Sequence, residues 1–300
     1  MSNAHLIDKP WLVKIELTRG CNLRCKFCPV HSQPAFQGAQ DFLTPALADE
    51  IGRQLGAWVP QARLEFTMRG EPTLNPQAAE CIAALREHLP RSQFSMFTNG
   101  TTWLKDDSVA EAMLDAGINI FNVDCYNNTY DRFHAKALGV GMRRPDIDIA
   151  DFREFSAYRK QKRGHTIKVI NLVPDIADPA QLVKVRKVHN MAGNLSDEQE
   201  QRFGISREAL PLAKGCARPF RELTTTWDGK ILICCLDWRE QGYLGTVEQG
   251  IQEVWYGDEH LAILRALYSK ERTGAPCDVC TYNGGVRLGL LRDPYTGIKP

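Results

Sequence analysis

The chain has 300 residues, 43% of them hydrophobic and 24% charged, enough to build an ordinary core and unlike a disordered chain. Lys and Arg total 37 against 36 Asp and Glu, and the net charge of +1 gives no electrostatic footprint for nucleic acid or an anionic membrane. No apolar run nears the roughly 20 residues that span a bilayer, and residues 1–10 lack the order of a secretory signal, so a cytoplasmic address is expected.

The predicted elements alternate between strand and helix. Leu12 to Leu17 reads as a strand ending just before the first cysteine. Thr44 and Pro45 open a helix as N-cap and first-turn residue, and Leu47, Ile51 and Leu55 give it one apolar face. Leu64 to Met68 is the next strand, Pro76 to His88 a helix, and Phe94 to Thr98 a third strand. Ser108 and Glu111 have capping-box spacing ahead of a helix lined by Val109, Met113 and Ala116. Ile118 to Val123 is a fourth strand. Phe152 and Phe155 mark a helix that ends in the basic run Arg159 to Arg163. Thr166 to Leu172 is a fifth strand, and Leu182 to His189, rich in β-branched valine, is a candidate sixth.

Strand–helix units in this order imply a parallel sheet or barrel, with too few units for the eight of a closed barrel. Polar Asn194 to Arg202 is the expected boundary. Beyond it lie two short strands around the hairpin-type turn Asp228-Gly229.

The ten cysteines are clustered. Cys21, Cys25 and Cys28 follow the first strand, and Cys216, Cys234, Cys235, Cys277 and Cys280 lie in the last third. Only Cys81 and Cys125 fall between. Disulfides are disfavoured in a reducing compartment, so the clusters point to metal or redox chemistry. Soft thiolates select zinc, Cu(I) or iron–sulfur. A structural zinc site wants four ligands, whereas three leave a position open.

Cys21-x3-Cys25-x2-Cys28 resembles the CxxxCxxC motif of the radical S-adenosylmethionine (SAM) superfamily. Phe27, the aromatic before the last cysteine, matches as well. Arg69-Gly70-Glu71-Pro72 resembles the family's GGEP motif, with Arg69 in place of the first glycine. Thr98-Asn99-Gly100 resembles its strand-end TNG, and Asp124 and Asn171 stand at further strand ends. The resemblance implies an α/β fold with a partial (β/α)6 TIM-like barrel over residues 10–200. It also implies a SAM-binding 4Fe–4S cluster on the three cysteines. SAM would lie against Phe27, Gly70, Glu71, Thr98, Asn99, Asp124 and Asn171.

Cys216, then Gly229 and Cys234, then Cys277-x2-Cys280 resemble the SPASM/twitch extension of these enzymes, a small β-hairpin and helix domain, here over residues 203–300. Arg218-Pro219-Phe220 and Trp227-Asp228-Gly229 match too. No cysteine follows Cys280, so the shorter twitch version is expected. It implies one auxiliary 4Fe–4S cluster on Cys216, Cys234, Cys277 and Cys280. A zinc ribbon is the rival for this segment, and a thioredoxin-like pair, Cys25 and Cys28, the rival for the first.

Cys235 and Cys125 are left over. Each is either a packed thiol or a hydrogen-atom donor; Cys81, on a helical apolar face, is core. His189-Asn190 is a candidate lining of the substrate pocket, or structural; His31 orders the first cysteine loop.

The family's chemistry is reductive cleavage of SAM to a 5′-deoxyadenosyl radical, which abstracts hydrogen from an unactivated carbon. An electron donor of the reduced flavodoxin or ferredoxin type is implied. An auxiliary cluster as electron acceptor gives a dehydrogenase; a thiol donor gives an epimerase. The expected substrate is a small sugar or aminocyclitol, with a peptide as the alternative.

Overall fold

The structure is a computed structural model that describes residues 3–25, 28–32, 36, 40–126, 129–152, 164–171, 190–207, 210–282 and 291–298. Strands β1 (Leu12–Ile15), β4 (Arg63–Phe66), β5 (Phe94–Thr98) and β6 (Ile120–Cys125) lie side by side and parallel. A small ribbon, β2 (Thr18–Arg19) with β3 (Asp41–Phe42), follows β1. Helices α1 (Pro45–Trp58), α2 (Ala78–His88), α3 (Thr101–Lys105) and α4 (Ser108–Asp115) fill the crossovers. Thr44 caps α1, its hydroxyl accepting from the Leu47 amide with Pro45 in the first turn. The Ser108–Glu111 box does not form. Asp106 accepts from the Ser108 amide and hydroxyl, and Glu111 pairs with Arg143 instead.

Among the elements that escape the sequence pattern are α5 (Tyr130–Arg143) and β7 (Ile147–Phe152). β8 (His165–Asn171), expected as the fifth strand, pairs with β6, and β7 lies outside it. Six parallel strands from β1 to β8 thus stand side by side, the last two exchanged relative to chain order, and β7 is not among the expected strands. Phe152, expected to begin a helix, ends β7; the rest of that helix and the candidate strand Leu182 to His189 lie outside the described residues.

The expected boundary at Asn194 to Arg202 is instead largely helix. α6 (Asp197–Phe203) begins with a capping box between Ser196 and Gln199. Beyond it, β9 (Glu222–Thr225), β10 (Lys230–Leu232) and β11 (Tyr243–Thr246) are followed by α7 (Ile251–Trp255) and α8 (Asp258–Tyr268). Gly229 makes the β9–β10 turn at φ 81°. β9 pairs in parallel with β1, so the C-terminal segment extends the barrel sheet to nine strands.

Side chains alternate across this sheet. Val13, Leu64, Met96, Phe121 and Ile167 enter the apolar core beneath the helices, where each large side chain contributes roughly 1.5–3 kcal/mol. The intervening positions carry a buried polar face. Lys14 stands in register with Glu65 and with Thr224, and its ammonium meets the Glu65 carboxylate at 2.5 Å. Asn122 donates to the Ser95 hydroxyl at 3.0 Å. One face of the sheet therefore builds the fold, and the other lines a polar interior.

Candidate active site

The loops after β1, β4, β5 and β6 meet around one cleft of about 160 Å³. This is the strand end at which parallel α/β folds collect their catalytic loops. Cys21, Cys25 and Cys28 line it beside Gly70, Glu71, Thr98, Asn99 and Asp124. These eight sequence-predicted residues are thereby brought together. Phe27 lies outside the described residues. Asn171 ends β8 in register with Cys125.

Three details give the cleft its shape. Gly70 bridges to Gly20, next to Cys21, and a side chain at Gly70 would meet the carbonyls of Thr18 and Gly20 at 2.3 and 2.4 Å. The glycine thus lets β4 approach the cysteine loop closely. The Glu71 carboxylate accepts from the Thr73 amide and hydroxyl, the Thr98 hydroxyl at 2.5 Å and the Asn99 amide at 2.7 Å. Burial nevertheless raises its pKa, against those bonds. Oε1 takes three of the four bonds, which leaves Oε2 with room to accept from a ligand cation. The Asn99 amide group reaches the Cys21 sulfur at 3.6 Å and the Asn22 side chain at 2.9 Å.

The three thiols fit an iron–sulfur cluster. Burial raises all three, and Cys28 reaches about 11, with Cys25 and Cys21 adding to the rise. A nucleophilic redox pair draws on the opposite shift, and the third thiol, Cys21, lines the same cleft, which a two-cysteine pair does not require. Bound iron would deprotonate such thiols outright. The Leu23 amide donates to the Cys21 sulfur at 3.4 Å, the kind of bond that tunes a cluster. Among the described residues, no three His, Cys, Asp or Glu side chains close to single-ion spacing.

The second cysteine set has matching features. Burial raises the Cys216 thiol, and it pushes Cys277 up to about 12, with Cys216 and Cys280 adding to the rise at Cys277. The Leu236 amide donates to Cys234 at 3.4 Å, repeating the Leu23 geometry. Arg272, missed in the sequence, is buried and donates to the carbonyls of Lys214, Cys280 and Tyr282. It joins the Cys216 and Cys280 loops.

The leftover thiols do not line the cleft. β6 runs on through Cys125, so Cys125 faces the helices within the apolar core while Asp124 faces the cleft. That placement corrects the hydrogen-donor reading of Cys125. Cys235 is buried in a polar cluster, its sulfur accepting from Arg218 at 3.2 Å with Glu222 at 4.0 Å. Contact with Cys234, then Lys14 and Arg218, holds it below the ordinary thiol range. Cys81 is core, as expected. His189 lies outside the described residues, and Asn190 is structural: it accepts from the Leu195 amide and bonds Glu200. Tyr126 and Trp238 are cleft residues that the sequence did not single out; the Tyr126 hydroxyl reaches Asp124 at 3.2 Å.

Residues 15–170 match the model of the radical SAM superfamily. The chain belongs to the radical SAM superfamily. Residues 216–281 match a second model, the SPASM iron–sulfur cluster-binding domain. These families imply a SAM-binding 4Fe–4S cluster and an auxiliary cluster, as the sequence led us to expect. The chain is 23% identical to an S-adenosyl-L-methionine-dependent 2-deoxy-scyllo-inosamine dehydrogenase from Niallia circulans over 90% of each protein. It is 31% identical to GTP 3′,8-cyclase from Edwardsiella ictaluri over 42% of this chain, spanning 37% of the cyclase. The fold is shared with BtrN in complex with AdoMet and 2-DOIA, at TM-score 0.65 and 17% identity, covering 92% of this radical SAM chain and 94% of BtrN. It is shared also with anSMEcpe bound to AdoMet and the Cp18Cys peptide, at TM-score 0.54 and 16% identity over 95% and 91%. No helix among the described residues is long and apolar enough to cross a membrane.

Proposed function

We propose that this radical SAM protein oxidises a small polyhydroxylated ring of the aminocyclitol or amino-sugar type. The observation that carries the reading is the single cleft in which three thiols meet four strand ends. End-to-end similarity to a SAM-dependent dehydrogenase supports the reaction class. The placement of Cys125 in the core favours oxidation over epimerisation.

In this reading Cys21, Cys25 and Cys28 hold the SAM-binding cluster, and Cys216, Cys234, Cys277 and Cys280 hold the auxiliary one. Residues 10–200 form the radical SAM core and 203–300 the auxiliary portion. When bound, cluster and SAM supply a 5′-deoxyadenosyl radical that takes hydrogen from an unactivated carbon. The protein binds, orients and shields. Glu71 would receive the SAM ammonium, Asn99 braces the Cys21 loop, and Asp124 and Tyr126 line the same cleft; Phe27 would add to the SAM contacts, whereas Asn171, in register with core-facing Cys125, is not one of them. The net change is loss of two electrons and two protons from a C–H/O–H pair. Cys216, Cys234, Cys277 and Cys280 would hold an auxiliary cluster able to accept the second electron, with the second proton passing to solvent, and a reduced flavodoxin or ferredoxin would supply the priming electron. Ten free cysteines suit a reducing cytoplasm.

The test is anaerobic reconstitution, then 5′-deoxyadenosine and product measurement across aminocyclitols, amino sugars and cysteine- or serine-containing peptides. Stoichiometric oxidation of a ring alcohol is expected. Turnover of peptides alone moves the assignment to peptide modification; zinc without labile sulfide overturns it altogether.

A further inference from the structure

Arg69 stands where the related motif carries a glycine, and its side chain is buried at 1% exposure on the wall of the cleft. Two of its nitrogens hold Glu16. The third, Nη1, donates to Glu240 at 2.7 Å and to the Trp238 carbonyl at 3.4 Å. The other Glu240 oxygen accepts from Lys230 at 2.7 Å. The guanidinium also lies 5.4 Å from the Phe36 ring centroid, and Phe36 meets Trp238 edge-on at 6.5 Å. Trp238 lines the cleft and donates its indole N–H to the Cys235 carbonyl at 3.1 Å.

Glu240 adopts φ 55°, in the left-handed region where glycine is favoured. A glutamate there has to be held by what its side chain does. What it does is bridge Arg69 on the barrel rim to Lys230 on the C-terminal hairpin.

We propose that Arg69 is a positioning residue and Trp238 a specificity-determining one. Through Glu240, Arg69 clamps the 234–242 segment so that Trp238 forms a fixed apolar wall for the C–H face of the substrate ring. This rests on the reading that the cleft takes SAM and a small ring. A glycine at position 69 has no side chain to make the clamp. An aromatic wall suits a sugar-like ring, whose axial C–H groups form an apolar face between its hydroxyls.

The test uses the anaerobically reconstituted full-length holoenzyme. E240G removes the clamp while relieving the backbone, E240Q keeps the shape without the charge, and W238A removes the wall. Both Glu240 variants are expected to keep wild-type iron content while the segment 234–242 is cut faster by protease. They and W238A should raise KM for the ring about tenfold with a smaller change in kcat, and E240G/W238A should be no worse than W238A alone. Additive effects, unchanged KM and proteolysis in E240G, or iron loss in E240G would each overturn the proposal. If the wild type forms no 5′-deoxyadenosine, the functional reading fails separately, and proteolysis still tests the clamp.

Discussion

Arg69 and Glu16 face one another as a two-pronged ion pair inside the protein, at 2.6 and 2.5 Å, each side chain 1% exposed. Glu16 follows β1 directly and Arg69 stands three residues past β4, so the pair ties together the two strand ends that carry the Cys21 loop and the Gly70-Glu71 turn. Burial raises the Glu16 pKa, and the Arg69 bonds oppose that rise. The fork geometry of arginine is what makes such burial tolerable.

Breaking this pair from one side leaves a buried charge without its partner. E16Q is expected to lower unfolding free energy by roughly 3–5 kcal/mol. The double variant E16M/R69M should recover most of that loss, because two apolar side chains replace two desolvated charges. Urea unfolding of the three proteins checks this, and equal loss in the single and double variants would contradict it.

Gly100 follows the Thr98-Asn99 strand end at φ 71°. A methyl group there would meet the Phe133 ring at 2.5 Å and Val123 at 2.8 Å. G100A is therefore expected to destabilise by on the order of 2–4 kcal/mol, combining backbone strain and overpacking. A loss of unfolding free energy below a tenth of that size would show that the Phe133 ring moves aside freely.

Much of the site could be read from the sequence because its chemistry is local. Cys21, Cys25 and Cys28 sit within eight residues, and each strand-end motif follows a short apolar run. The α5 helix was hidden because Gly139 and Gly141 interrupt its apolar spacing, and its buried face of Tyr130, Phe133, Ala137 and Val140 is legible only once packed. β7 is short and carries two aspartates, which reads as loop. The exchange of β7 and β8 in the sheet has no local signal at all. Nor has the Arg69–Glu240 bond, which joins residues 171 positions apart. A strand ending at Val123 leaves the side of Cys125 open, and its continuation through Cys125 decides between the two readings of that thiol by fixing it toward the helices.

His260 on α8 is fully buried, its ring nitrogens facing the carbonyls of Trp255 at 2.7 Å and Pro219 at 3.2 Å. Burial lowers its pKa from 6.5 despite both contacts. The unfolded chain therefore binds a proton near pH 6 that the folded chain does not. Stability is full above pH 6.5 and falls as pH drops below it, by up to ~1.4 kcal/mol per unit from this group, until the folded value is reached. The difference in pH dependence between wild type and H260Q between pH 7.5 and 5 measures it; parallel curves would mean that the histidine titrates alike in the folded and unfolded chains, which contradicts the burial effect.

Iron content separates the cysteines by role. With two four-iron clusters, the reconstituted wild type carries about eight irons per chain, and Cys21→Ala, Cys25→Ala or Cys28→Ala should leave about four. Those three variants should also lose the change in the reduced-cluster EPR signal caused by added SAM. Cys216→Ala, Cys277→Ala or Cys280→Ala should lose iron while keeping that SAM-dependent change. Cys234 and Cys235 are the sharper comparison, because they are neighbours in sequence but differ in surroundings. Cys234 accepts an amide bond like that on Cys21, while Cys235 is enclosed with Arg218 and Glu222. Cys234→Ala is expected to behave as Cys216→Ala does. Cys235→Ser should keep all the iron, and iron loss there with retention in Cys234→Ala would exchange the two assignments.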